Sequence, residues 1–315
     1  LVKPKPADII LDIGSNDATL LKSCTGHSKR VGIDPIGEKF RKYYTSDMVL
    51  ISDFFSADVF SKHFPNKKAK IITSIAMFYD LENPKEFVQD IEKCLADYGI
   101  WHFEQSYMPS MLRTNAYDTI CHEHLEFYSF SVVKKLLERC KMRVLDVEMN
   151  SINGGSFAIT ACKKDSPFIS NEPIINWMLK QEKNMGLRTV QPYREFEKKV
   201  YQHRDNLRDL IKALVSDGKK IIGYGASTKG NVLLQFCGLN DKHISCIAEV
   251  NKEKYGSYTP GTKIPIVSEK KAKEMKPDYL LVLPWHFKNS ILEKEKEFLT
   301  NGGKFIFPLP EIEIV

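Results

Sequence analysis

No stretch of the sequence approaches 18 consecutive apolar residues, and the start is not a charged segment running into an apolar one. Neither a membrane span nor a signal peptide is therefore expected, and the chain reads as cytoplasmic. Runs of five or more like charges are also missing, and 46 Lys and Arg against 40 Asp and Glu leave a net charge of only +6. Nothing in that balance calls for a nucleic acid. The seven cysteines (Cys24, Cys94, Cys121, Cys140, Cys162, Cys237, Cys246) are an odd number, lie far apart and form no C-x-x-C pair. A disulfide framework and a structural zinc are both unsupported. What is present is a chain of 315 residues, 43% hydrophobic and 27% charged, enough for two well-cored globular domains at roughly 150 residues each.

Short apolar runs end repeatedly at acidic or glycine residues. Asp8 to Ile13 runs into Gly14, Arg30 to Ile33 into Asp34, and Met48 to Ile51 is followed by Asp53, while Ala69 to Ser74 stops before Met77. Helical spacing appears over Asn16 to Ser23 and over Glu86 to Tyr98, with a further strand at Ile100 to Glu104. Strands alternating with helices predict a parallel sheet with crossover helices. The same beginning recurs about 210 residues later: Lys219 to Gly223 leads into Gly225, Asn231 to Phe236 looks helical, and strands follow at Ile244 to Ala248, Asp278 to Leu283 and Phe305 to Pro308. The predicted architecture is α/β, two doubly wound Rossmann-like parallel-sheet domains joined by helices. The leading domain spans 1–165, linking helices 166–216, and the second domain 217–315.

At the first loop, Asp12-Ile13-Gly14-Ser15-Asn16-Asp17-Ala18 puts a small residue where the strand turns, so backbone can approach a ligand closely. Asp34 follows Gly14 by 20 residues, the spacing at which an acid meets ribose hydroxyls. The G-x-G-x-x-G that a pyrophosphate usually wants is absent, which favours S-adenosylmethionine (SAM) over NAD. Asp12, Gly14, Asn16, Asp17 and Asp34 are its expected contacts, with Asp53 and Phe54 supplying a polar contact and an aromatic wall for adenine. The same residues also fit a capped helix and an ordinary turn.

Farther on, Cys121-His122-Glu123-His124-Leu125-Glu126-Phe127-Tyr128 concentrates imidazoles and carboxylates among aromatics. Such a cluster suits a base in a semi-apolar pocket, tuned by an adjacent carboxylate. H-x-H also ligates metals, but H-E-H differs from H-E-x-x-H and no second ligand cluster is evident, so no metal is expected. A solvated polar turn is the remaining reading.

Together these residues resemble the sugar-nucleotide C-methyltransferases, over nearly the whole chain. The resemblance rests on Leu11 to Asp17, Glu123-His124 through Tyr128-Ser129, Gly154-Gly155-Ser156, Gly223 to Asn231, Pro260 to Pro265, and Pro284-Trp285. It implies SAM as methyl donor and a keto-deoxy sugar linked to a nucleotide as acceptor. His124 would be the general base, with Glu123 beside it, and the methylated carbon would lie next to the ketone. The chain departs from the family pattern in four places. A Cys-rich N-terminal zinc module is missing ahead of Leu1, consistent with a trimmed or shortened chain. Cys121 replaces a Tyr, and Ala76 to Asp80 contains no His, which leaves Tyr79 to take a related role. Asn153 replaces the His of H-G-G-S. Gln105, Tyr107 and Tyr128 are expected on the substrate side.

The second loop, Gly223-Tyr224-Gly225-Ala226-Ser227-Thr228-Lys229-Gly230, is neither the dinucleotide fingerprint nor a P-loop. Its amides together with Gly225, Ser227 and Lys229 can hold a diphosphate, with Glu249 near a ribose; it also fits a structural repeat with an empty loop. Trp285-His286 sits at a strand end, where either a cleft residue or a buried aromatic is expected. His27, His63, His203 and His243 read as surface residues. O- or N-methylation of a related sugar is the alternative activity, and an NAD-dependent sugar-nucleotide oxidoreductase the alternative from another class.

Overall fold

The computed structural model describes residues 1–26 and 28–315, so His27 lies outside it, as does the side chain of Asn153. The chain forms two compact units. The leading unit combines Leu1–Met108 with Leu125–Leu187, and the trailing unit combines Pro109–His124 with Arg188–Val315. The segment carrying Glu123 and His124 thus belongs with the trailing unit, although it lies within the leading half of the sequence.

Among the described residues the leading unit carries a seven-stranded sheet. Its strands are β1 (Ile9–Ile13), β2 (Lys29–Ile33), β3 (Met48–Ile51), β4 (Ala69–Ile75), β5 (Leu95–Ser106), β6 (Met142–Asn150) and β7 (Ser156–Lys163), in the order β3-β2-β1-β4-β5-β7-β6. The first five are mutually parallel and β7 runs antiparallel to both its neighbours. β1 is buried along its whole length, as a central parallel strand covered on both faces should be. The helix Pro84–Cys94 starts where the Asn83 side chain accepts from the amide of Glu86 and Pro84 occupies the first turn. It stops short of the expected Tyr98, because Leu95 is already paired with Ala69 of β4.

The trailing unit adds β8 (Ile221–Tyr224), β9 (Ile247–Glu249), β10 (Ile266–Ser268), β11 (Tyr279–Val282), β12 (Lys304–Phe307) and β13 (Glu313–Ile314), in the order β10-β9-β8-β11-β12-β13. All its pairings are parallel except that of β12 with β13. Helices Glu172–Asn184 and Gln191–Ser216 occupy the stretch read as linking helices. The expected class, two Rossmann-like α/β sheets, is the one observed. His203 corrects its surface reading: it is buried, with Nδ1 against the hydroxyl of Tyr117 and Nε2 against the carbonyl of Pro308. No helix among the described residues is long and apolar enough to cross a membrane.

Candidate active site

In the leading unit the carboxyl ends of β1 and β2 are joined through one carboxylate. Gly14 turns the chain at φ +72°, in the left-handed region, and its amide donates to Ile33 at 2.8 Å. Asn16 (φ 43°) and Ala18 (φ 60°) also hold left-handed backbone, a costly conformation that persists where surroundings enforce it and that clusters at ligand clamps. Asp34 is the enforcing group. It is buried, with Oδ2 accepting from the amide of Asn16 and Oδ1 from that of Ile36, both at 2.9 Å. A carboxylate has about four acceptor positions, so two remain for a vicinal diol. Asp17 is partly buried, and Thr19 donates to its carboxylate through hydroxyl and amide, which holds its pKa down.

Asp12 is the strained group of this site. It is buried beside Asp34, and burial raises its pKa to about 6 against the pull of the Thr73 hydroxyl, which donates at 2.6 Å. A desolvated carboxylate with one donor fits a cationic ligand group better than a phosphate. At the end of β3, Asp53 and Phe54 are exposed, Phe54 to 75%, while Phe55 turns inward onto Phe87. Buried acids and an exposed aromatic, without a phosphate-cradling glycine pair, form a donor set that fits SAM: acceptors for ribose and amino groups, and a flat apolar surface for adenine. Thr73, which the sequence offers as an ordinary strand residue, is legible only through its pairing with Asp12.

Gln105, at the carboxyl end of β5, is 1% exposed, and neither atom of its amide has a hydrogen-bond partner among the described residues. The buried hydroxyl of Tyr128 is likewise unpartnered. Such groups cost about 1–3 kcal/mol each unless a ligand or water supplies the partner. Tyr107 is differently engaged: its hydroxyl donates to the buried Glu182, which also accepts from the amides of Phe130 and Ser131 and so caps the helix Phe130–Arg139. Tyr79 is buried in the leading unit, and its carbonyl accepts from the amides of Leu125 and Glu126.

In the trailing unit His124 is half-buried, and its Nδ1 lies 2.7 Å from the carbonyl oxygen of Thr119. An oxygen acceptor there requires Nδ1 to carry the hydrogen, which leaves the lone pair on Nε2. Burial lowers the pKa of His124 below its ordinary 6.5, and the charge of Lys229 acts in the same sense, while the Thr119 carbonyl and Glu123 oppose. Glu123 and His122 are exposed. No group of three or more His, Cys, Asp or Glu among the described residues is arranged to hold a metal ion.

The second loop repeats the design of the first. Gly225 (φ +85°) donates from its amide to Ala248 at 2.8 Å, and a Cβ there would stand 2.8 Å from Pro284. Glu249, at the end of β9, accepts from the amides of Ala226, Val250 and Asn251. Burial opposes its ionisation, but these amides and Lys254 prevail and hold its pKa low. Gly225, Ser227 and Glu249 line a cleft of about 380 Å³ with Lys254 and Lys294. Lys229 does not line it.

The geometry defines an α/β protein with a strand, a left-handed glycine turn and a buried acid in each unit, and a tautomerically fixed imidazole in the second. The model of the C-methyltransferase C-terminal domain matches residues 151–310, and that of a methyltransferase domain matches residues 1–146. The C-methyltransferase NovU of Streptomyces niveus is 32% identical over 310 residues, 98% of this chain and 74% of that protein. The chain belongs to this C-methyltransferase family and is a SAM-dependent methyltransferase. Among solved structures, a complex between the Haloferax volcanii Trm112 methyltransferase activator and a methyltransferase is 12% identical with a TM-score of 0.42, covering 50% of this chain and 82% of that one. A SAM-dependent methyltransferase from Clostridium acetobutylicum is 13% identical with a TM-score of 0.37, covering 50% of this chain and 84% of that one.

Proposed function

We propose that the enzyme methylates a carbon adjacent to the ketone of a nucleotide-linked keto-deoxy sugar, with His124 as the general base. The observation that carries this reading is the hydrogen bond from His124 Nδ1 to the Thr119 carbonyl, which presents a neutral Nε2 lone pair in a half-buried setting within a C-methyltransferase. Nε2 takes the proton from the activated carbon, and the electron pair moves into the carbonyl as an enolate. When bound, SAM supplies an electrophilic methyl group that this carbon accepts. His124, then an imidazolium, returns its proton to solvent before the next cycle. Glu123 favours that charged stage, and Tyr79 is assigned the related role that the family gives to a histidine.

The division of labour follows the two loops. The leading domain (1–165) holds SAM through Asp12, Gly14, Asn16, Asp17, Asp34, Asp53 and Phe54, and contributes Gln105, Tyr107 and Tyr128 to the sugar. The domain at 217–315, beyond the linking helices at 166–216, holds the nucleotide at Gly225, Ser227 and Glu249. A cleft of about 380 Å³ with Lys254 and Lys294 on its walls suits a nucleoside diphosphate. Asp34→Ala removes the acceptor that holds Asn16 and Ile36 in place, so SAM affinity measured by calorimetry should fall at least about tenfold. Unchanged affinity would contradict the assignment.

The substrate reading is tested by offering nucleoside-diphosphate keto-deoxy sugars with SAM and locating the new methyl group by NMR. A carbon-bound methyl next to the ketone is expected. Methylation on oxygen or nitrogen, or turnover confined to acceptors without a nucleotide, would overturn it.

A further inference from the structure

His124 rides on a segment that the trailing unit holds through side chains remote in sequence. Residues 109–124 belong to that unit, and Ala116 and Tyr117 share a hydrophobic core with Trp285. The short turn Tyr117–Thr119 also packs against helix Thr228–Phe236. Each residue of the turn is tied by a hydrogen bond. The Tyr117 hydroxyl donates to His203 Nδ1 at 2.9 Å, since His203 Nε2 carries its hydrogen toward the Pro308 carbonyl. The Thr119 hydroxyl donates to the carbonyl of Ala116 at 3.1 Å.

Asp118, the middle residue, is 0% exposed, and its Oδ2 accepts from the indole Nε1 of Trp285 at 2.7 Å. Oδ1 is buried with no hydrogen-bond partner among the described residues, which leaves the indole as the side chain that orients this carboxyl. The next residue, Thr119, supplies the carbonyl that takes the hydrogen of His124 Nδ1 at 2.7 Å. One indole bond, one residue of turn and one carbonyl bond therefore connect Trp285 to the imidazole. Trp285 is the buried aromatic of the two readings its position allowed, and it puts its polar edge to use.

We propose that Trp285 is a positioning residue for the base: its indole N–H fixes Asp118, Asp118 fixes the turn, and the turn aims the Thr119 carbonyl at His124 Nδ1. The proposal rests on the reading of His124 as the base. Which ring nitrogen of a histidine carries the hydrogen is set by the bond the other one makes. A carbonyl displaced from Nδ1 lets the hydrogen distribute over both nitrogens, and a ring with its hydrogen on Nε2 has no lone pair there to accept a proton. Trp285 acts on the reaction only through Asp118.

The test compares wild type with Trp285→Phe, Asp118→Ala and Asp118→Asn. The first two remove the indole bond from its two ends, whereas Asn keeps an oxygen that accepts from the indole. One readout is nitrogen NMR of the His124 ring above its titration, which reports the tautomer and needs no turnover; the other is kcat against KM. In Trp285→Phe and Asp118→Ala the ring should pass from the Nδ1–H form to a mixture of both tautomers. Their kcat should fall about ten- to a hundredfold at an unchanged KM for the sugar nucleotide. Asp118→Asn should recover most of both losses. Tyr117 keeps its bond to His203 in all three variants, so the segment stays docked. Should Trp285→Phe fail to fold, Asp118→Ala gives the same reading from the other end. A ring that stays in the Nδ1–H form after the indole bond is removed would overturn the proposal. So would a raised KM with an unmoved ring, because Trp285 would then serve substrate binding. Full turnover in His124→Ala would instead defeat the base reading. The ring signal separates the two failures, because it reports the coupling whether or not His124 is the base.

Discussion

His124→Ala is expected to lower kcat by about a hundred- to ten-thousand-fold, the usual worth of a positioned general base, and to leave binding of S-adenosylhomocysteine at its wild-type strength. The separation follows from where the residues lie. The proposed SAM contacts all belong to the leading unit, whereas His124 groups with the trailing one. The pH profile carries the same signature. Because burial and Lys229 hold His124 below 6.5, the wild-type acid limb of kcat/KM should fall below pH 6.5. Turnover would be lost as falling pH protonates the imidazole. Steady-state kinetics with calorimetry checks both; loss of SAM-type binding alongside activity would indicate a structural role.

Asp12→Asn should do two opposite things. The folded-state pKa of this carboxyl is raised from 3.8 to about 6, chiefly by burial. Its ionisation therefore costs nothing below pH 3.8, costs progressively more as pH rises to about 6, and the full penalty, about 3 kcal/mol, persists above that. Asn keeps the shape and the bond from Thr73 without the charge, so the variant should melt several degrees higher than wild type at pH 7, with the gain shrinking as pH falls through that window. SAM affinity should drop by about tenfold or more, since a carboxylate facing a cationic ligand group is lost. A carboxylate retained at such a cost is the pattern of a site selected for binding over stability. Thermal unfolding at pH 4 and pH 7 with SAM titration reads both effects. A destabilised variant at neutral pH would contradict the account.

The parallel core was legible because each strand carries its own signal: apolar runs ending at Gly14, Asp34 and Gly225 announce both strand and loop, and β1, β2 and β8 lie where those runs fall. The hairpin of β6 and β7 is punctuated only at its turn, by Gly154-Gly155, and its register is set by pairing and by burial against the rest of the sheet. Side chains whose partners are remote in sequence were least readable. Nothing near His203 shows that Tyr117 and Pro308 enclose it, and nothing near Asp118 shows that Trp285 reaches it across 167 positions.

Whether an imidazole draws the hydrogen from carbon is read most directly by exchange in deuterium oxide, with S-adenosylhomocysteine in place of SAM so that methylation cannot follow. The nucleotide-linked keto sugar should then take up deuterium beside its ketone with the wild-type enzyme and not with His124→Ala. Equal uptake by both proteins would contradict the account.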